Sequence, residues 1–316
     1  MDVSRRSTWM FAVATAGWVS TIGSAEHGLA AQSPRSAFRA GIELVSLNVT
    51  VSKGAQQYVD DLERDDFVVL ENNVPQNVTF FGKTSVPLSL ALLLDTSASM
   101  DQALTTAQEA AVGFARTLGP ADLATVLDFD TRVQTAQGFT GDVRALEEAI
   151  RGTAAGGSTA LYNAIYIALK EMNKLKPQDA PRASRRRAII VLSDGDDTSS
   201  LVDFDEVIDV ASRSDTVIYA IGLGPRPAPG SFNKQDGQFV LRRLAQQTGG
   251  RAFFPQEAKD LASVYRDIRE ELSSQYSLAY ESASPMRDGH WRQIAVRVNR
   301  PSVTVRTRQG YFAPSK

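Results

Sequence analysis

Val45, Leu47, Val49 and Val51 alternate with Ser46, Asn48, Thr50 and Ser52, and Lys53-Gly54 closes the run. A period of two marks a strand with one buried face. Phe67 to Leu70 predicts a second strand, Glu71-Asn72-Asn73 a turn, and Val78 to Phe81 a third strand, read together as closely spaced antiparallel neighbours. The pattern changes at Pro87. Leu88 to Leu94 is almost continuously apolar, as in a strand covered on both faces. Leu104, Ala107, Ala111, Phe114 and Leu118 then recur at helical spacing until Gly119-Pro120 stops the helix. Further strands are predicted at Leu123 to Phe129, Ala188 to Leu192 and Val217 to Ile221. Further helices are predicted at Val143 to Ile150, Leu161 to Met172, Phe204 to Ser212, Phe239 to Gln247 and Leu261 to Leu272, with Gly249-Gly250 as a C-cap. Strands alternating with helices mean βαβ units, hence a mostly parallel sheet with helices on both faces. The period of two then returns at Tyr276, Leu278, Tyr280 and at Ile294, Val296, Val298. With Val303 and Val305 these read as a three-strand meander ending near Tyr311-Phe312.

Neither β flank is long enough to bury much core alone. The simplest arrangement packs 42–84 and 275–314 together as one small antiparallel β domain, with an α/β domain of residues 87–274 inserted between them. Two separate β pieces, each packed on the α/β body, are the alternative. Residues 1–31 read as an export signal: Arg5 and Arg6 make a positive start, Trp9 to Ala25 is mostly apolar, and small residues suited to cleavage recur at Gly23-Ser24-Ala25 and Gly28 to Ala31. Residues 32–41 read as a linker. A retained N-terminal anchor stays open, and Ser4-Arg5-Arg6 is a faint twin-arginine pattern that Thr8 weakens. No later segment is long and apolar enough to span a bilayer. The expected location is periplasmic or extracellular.

Composition removes several chemistries. The chain of 316 residues has no cysteine and two histidines, His27 and His290. Thiol nucleophiles, disulfides, cysteine zinc sites and a lipid-attachment cysteine are thereby excluded. With His27 inside the export signal, a Ser-His-Asp triad or a multi-histidine metal site is disfavoured. His290, beside Asp288-Gly289, reads as a surface residue. A net charge of -2 argues against a general nucleic-acid binder. Arg185-Arg186-Arg187 reads as a solvated strand entrance, since apolar residues follow at once, and Arg297, Arg306 and Arg308 read as an exposed face.

The informative chemistry lies at predicted element ends. In an open α/β sheet, ligands bind beyond the carboxyl ends of the strands. Asp95-Thr96-Ser97-Ala98-Ser99 follows one strand, Ser193-Asp194-Gly195 follows another, and Ser158-Thr159 follows Gly156-Gly157 and opens a helix. The candidate metal ligands are therefore Asp95, Ser97, Ser99, Thr159 and Asp194. All are hard oxygen donors, which suits Mg²⁺ in octahedral geometry at about 2.0–2.1 Å, with Mn²⁺ or Ca²⁺ as alternatives. Hydroxyls are neutral, so a metal they hold is under-neutralised and accepts a carboxylate from outside. Bland readings stand beside this one. Asp95 and Thr159 are also suitable helix caps, and Asp194 a turn residue before Gly195. Asp196 and Asp197 read as a solvated acidic loop or an accessory cation site. Gly156-Gly157 is followed by no P-loop lysine. Tyr162, Tyr166 and Tyr276 read as packing residues.

Asp95-x-Ser97-x-Ser99, Thr159 in the run Gly156 to Asn163, and Ser193-Asp194-Gly195 resemble, in this order, the metal-ion-dependent adhesion site of von Willebrand factor A domains. The resemblance spans Pro87 to about Ser274. It implies a Rossmann-like fold, with Ser97, Ser99 and Thr159 as direct ligands and Asp95 and Asp194 direct or acting through water. The flanks, with Asp65-Asp66-Phe67, Glu71, Pro75-Gln76 and Arg308-Gln309-Gly310-Tyr311-Phe312, are similar to bacterial "VWFA-related" exported proteins best known from Acidobacteria. The resemblance implies an adhesion-type module that binds a protein ligand offering an Asp or Glu carboxylate. No catalytic base or nucleophile constellation is recognised. A metal-assisted hydrolase or phosphatase is one alternative. The other is a scaffold in which the metal only stabilises loops.

Overall fold

The computed structural model describes residues 44–54, 57–83, 86–175, 185–194, 196–223, 237–284 and 286–315. The expected export signal and linker, His27 and Gly195 lie outside these residues.

The N-terminal flank forms β1 (Leu44–Lys53), β2 (Gln57–Tyr58), β3 (Phe67–Glu71), β4 (Val74–Gln76) and β5 (Val78–Gly82). The α/β part follows as β6 (Leu88–Asp95), α1 (Asp101–Ala115), β7 (Leu123–Phe129), β8 (Val133–Thr140), α2 (Val143–Arg151), α3 (Leu161–Lys174) and β9 (Arg186–Ser193). It continues as α4 (Phe204–Arg213), β10 (Thr216–Gly222), α5 (Gly237–Thr248), β11 (Ala252–Phe253) and α6 (Leu261–Ser274). The C-terminal flank supplies β12 (Tyr276–Glu281), β13 (Trp291–Val298), β14 (Thr304–Arg306) and β15 (Gly310–Phe312).

The central sheet has the order β11-β10-β9-β6-β7-β8, parallel except for the antiparallel edge strand β8. Its continuous apolar strands follow from cover on both faces. Leu88, Leu90, Leu92 and Leu94 of β6 pack with α1, α2 and α6. Ala91 and Leu93 of the same strand pack with α3, α4 and α5. Edge strand β8 escaped the pattern reading because none of its residues is buried and half of them are exposed.

The flanks pair strand to strand. β1 pairs antiparallel with β12 and β14, and β3 pairs with β13. Two sheets result, β14-β1-β12-β5 with β2 beside β1, and β15-β13-β3-β4. Val45, Leu47 and Tyr280 from the first meet Phe67, Val69 and Ile294 from the second in one core, as in a sandwich. This corrects two expectations. The strands at Phe67 and Val78 are not neighbours: Asn72 and Asn73, at φ of 48 and 65, turn β3 into β4, while β5 joins β12 in the other sheet. The C-terminal strands form no meander, because β12, β13 and β14 take their partners from the N-terminal flank.

The arginine expectations also change. Arg186 is buried and donates to the carbonyls of Leu272 (2.6 Å) and Gln275 (2.8 Å) at the end of α6. Free carbonyls at a helix C-terminus attract cations. Arg306 pairs at 2.5 Å with Glu271, which is fully buried on α6, and Arg308 meets Asp215 at 3.3 Å. Tyr219 Oη (2.9 Å) and Tyr58 Oη (3.2 Å) also donate to Glu271, so the last helix is bonded to the β sandwich. Tyr276 packs against Phe67 and Phe81, and Tyr162 against Phe204, as expected of packing residues. His290 is exposed beside Asp288.

Candidate metal centre

β6 lies between β7 and β9 in the sheet. The chain runs from β6 outward to β7 and β8, then crosses back to β9 on the other side. The carboxyl ends of β6 and β9 therefore flank the crevice where strand order reverses, the favoured ligand position of such sheets. Asp95 closes β6, and Asp194 directly follows β9.

Asp95 is buried, with an exposure of 1%. Its Oδ1 accepts from the Ser97 amide at 2.9 Å and its Oδ2 from Ser193 Oγ at 2.5 Å. Ser99 Oγ donates to Asp194 Oδ2 at 2.5 Å. Ser97 Oγ lies 3.0 Å from Ser99 Oγ. The single hydroxyl proton of Ser99 goes to Asp194, so Ser97 is the donor between the two serines. One hydrogen-bonded chain thus joins Asp95, Ser97, Ser99 and Asp194.

Thr159 is brought in through its backbone. The Gly156 amide donates to the Thr96 carbonyl at 2.7 Å, and the Ala98 amide to the Gly157 carbonyl at 3.1 Å. The amides of Thr198 and Ser199 donate to the Thr159 carbonyl at 2.9 and 3.1 Å, and the Thr159 amide donates to Thr198 Oγ1 at 3.0 Å. The loop carrying Thr159 is therefore tied to the segment after β6 and to the segment after β9. Gly157 makes this fit possible. At φ +69 it adopts a left-handed conformation, and a Cβ there would meet Thr131 Oγ1 at 2.7 Å.

The capping readings of these residues are not what is observed. The N-cap positions of α1 and α3 are Met100 and Ala160, neither with a side-chain cap bond. Asp196 is exposed, as a solvated loop would have it, while Asp197 is half-buried and its Oδ1 accepts from the Tyr162 amide at 3.1 Å and from Ser200 Oγ at 2.6 Å, at the start of α3. Ser193 and Thr198 were not singled out in the sequence. Ser193 sits beside Asp194, but nothing in the pattern showed that its hydroxyl turns toward Asp95.

Burial pushes the Asp95 carboxyl up from its ordinary value, hydrogen bonds from Ser193 and Ser97 pull it down, and the nearby Asp194 charge pushes it up again. The partners of Asp95 are hydroxyl and amide groups rather than lysine or arginine. A buried carboxylate without a counter-charge is costly, so the oxygen set is short of positive charge and a divalent cation fits it. Among the described residues no group of three or more His, Asp or Glu could hold a metal.

The von Willebrand factor type A domain model matches residues 89–267. No curated protein matches the chain. A solved von Willebrand factor type A structure from Catenulispora acidiphila is 15% identical, covers 84% of this chain and 71% of its own, and superposes with a TM-score of 0.51. Proximal thread matrix protein 1 from the mussel byssus is 15% identical over 64% of this chain and 51% of its own, at 0.50. An aerotolerance-related membrane protein from Bacteroides fragilis is 18% identical over 58% of this chain and 98% of its own, at 0.46. At such identities the likeness is one of fold.

Proposed function

Because the chain belongs to the von Willebrand factor type A domain family, we propose that it is an exported binding module that grips an acidic group of a protein partner through a divalent metal. Domains of this family are generally interaction modules rather than enzymes, and they commonly hold a divalent metal. Ser97, Ser99 and Thr159 would hold the metal directly, with Asp95 and Asp194 direct or through water. Mg²⁺ suits this oxygen set. The metal would supply positive charge at the crevice, and the chain's residues would orient it and leave one face open to a carboxylate.

The observation that carries this reading is the hydrogen-bonded chain from Asp95 through Ser97 and Ser99 to Asp194. It gathers oxygen donors from separate segments around a buried carboxylate that lacks a counter-charge. The surrounding loops are already fastened by backbone bonds such as Gly156 to Thr96. That favours a metal that grips over one that merely staples loops. Export rests on the positive start and apolar run within residues 1–31. We further propose residues 87–274 as the metal-carrying domain, with 42–84 and 275–314 as its β companion.

The test is a pull-down from envelope and extracellular fractions with Mg²⁺ and with EDTA, using wild type and Asp95→Ala. Capture by wild type in Mg²⁺ alone is expected. Capture unchanged by EDTA and by the substitution would overturn the reading.

A further inference from the structure

Leu201 stands in the segment between β9 and α4. Its side chain is 94% exposed, more than any other large apolar side chain among the described residues. Surface leucines scattered singly are ordinary, but this one is fastened in place. Asn163 Oδ1 accepts from the Leu201 amide at 3.1 Å and from the Val202 amide at 3.3 Å. The Asn163 amide donates to Ser200 Oγ at 3.0 Å, and that hydroxyl donates to Asp197 Oδ1 at 2.6 Å. Bonds on both sides of Leu201 thus tie its backbone to the start of α3, and the side chain projects into water from a fixed frame.

The same frame carries a residue of the candidate metal centre. The amides of Thr198 and Ser199 donate to the Thr159 carbonyl at 2.9 and 3.1 Å. Asn163, which holds Leu201, follows Thr159 by only four residues. Thr159 and Leu201 therefore belong to one hydrogen-bonded unit. Apolar surface continues beside the leucine. Val202, Phe204 and Tyr162 are half-buried, and the Phe204 and Tyr162 rings lie 5.9 Å apart. The fold leaves the leucine's burial unused, and burying such a side chain is favourable. A group already held in its bound position also loses little freedom when a partner covers it.

We propose that Leu201 is the apolar anchor of the partner-binding face. The partner is a polypeptide segment that offers an acidic side chain to the metal and, a few residues away, an apolar side chain to Leu201. This inference rests on the metal reading above and adds a sequence preference to it.

The test uses short Gly/Ser peptides containing one Asp, with a Leu placed up to about four positions to either side, a reach of about 13 Å in extended chain. Each is compared with the same peptide carrying Ser in place of Leu, by fluorescence anisotropy on the full chain in Mg²⁺ and in EDTA. In Mg²⁺ at least one Leu peptide is expected to bind roughly tenfold more tightly than its Ser counterpart. L201S should remove that difference while keeping its melting temperature and its Mn²⁺ binding. M286S, which removes another exposed apolar side chain between β12 and β13, should keep the difference. Failure of wild type to bind Mn²⁺ would sink the metal reading and this inference with it. Mn²⁺ bound by wild type, with no Leu peptide preferred over its Ser counterpart or with the preference intact in L201S, would overturn this inference alone.

Discussion

Ser99 Oγ donates a 2.5 Å hydrogen bond to Asp194 Oδ2, closing a contact between residues 95 positions apart. The bond joins the segment after β6 to the segment after β9. It places the hydroxyl of one and the carboxylate of the other at a common point beside buried Asp95.

In the proposed metal site, Asp95 would be a liability without metal and an asset with it. In EDTA, Asp95→Asn is expected to leave stability unchanged or raise it, because the new amide oxygen still accepts from the Ser97 amide, its nitrogen can donate to the Ser193 hydroxyl, and a buried charge is relieved. In Mg²⁺ at about 100 times its Kd, wild type should gain about 2.7 kcal/mol and the variant nothing. Thermal melts of both proteins in both buffers check this. Equal Mg²⁺ shifts in the two would contradict it.

Gly157→Ala should be costly out of proportion to one methyl group. The residue sits at φ +69, and the new Cβ would lie 2.7 Å from Thr131 Oγ1 and 3.0 Å from Asp130 Oδ2. A loss of about 1–3 kcal/mol is expected, together with weaker metal binding, since the Thr159 loop must shift. Urea unfolding measures the first and titration the second.

Glu271 joins α6 to the sandwich through Arg306 and Tyr58, and to β10 of the central sheet through Tyr219. Burial and the Glu271 charge push the Tyr219 hydroxyl well above its ordinary range, so it stays protonated and donates. Glu271→Ala leaves these partners unsatisfied and should cost about 3 kcal/mol or more in urea unfolding. Glu270→Ala, an exposed neighbour on the same helix, should cost far less.

The Arg292 guanidinium holds the Asp288 carboxyl down at about 2, with help from the His290 amide. A depressed folded value contributes stability above the unfolded carboxylate value of about 3.9, and that contribution is lost as pH falls toward 2. Asp288→Asn should therefore flatten the fall in melting temperature between about pH 4 and pH 2. An unchanged slope would count against the pair.

The α/β part was largely legible because cover on both faces leaves an unmistakable apolar run, as in Leu88 to Leu94. Of the donors proposed for the metal, Asp95, Ser97, Ser99 and Asp194 stood out as short polar runs at or after strand ends, and Thr159 as part of the run opening α3. What pattern could not give was long-range pairing. Periodicity marked the strands at Phe67, Val78 and Tyr276 but carries no information on which sheet each joins. Edge strands β4 and β8 are short or polar and left no alternation to read. Arg186 and Arg306 looked like solvated charge, because a buried ion is satisfied by partners distant in sequence, here helix carbonyls and the buried Glu271 carboxylate.

The central proposal is a single divalent-cation site at Asp95, Ser97, Ser99, Thr159 and Asp194. Electron paramagnetic resonance titration with Mn²⁺ on the full chain tests it directly. The predicted result is one bound Mn²⁺ per chain, displaced by Mg²⁺ and lost in both Asp95→Ala and Ser99→Ala. Mn²⁺ that stays free in the presence of wild type, or that binds equally to all three proteins, would contradict the account.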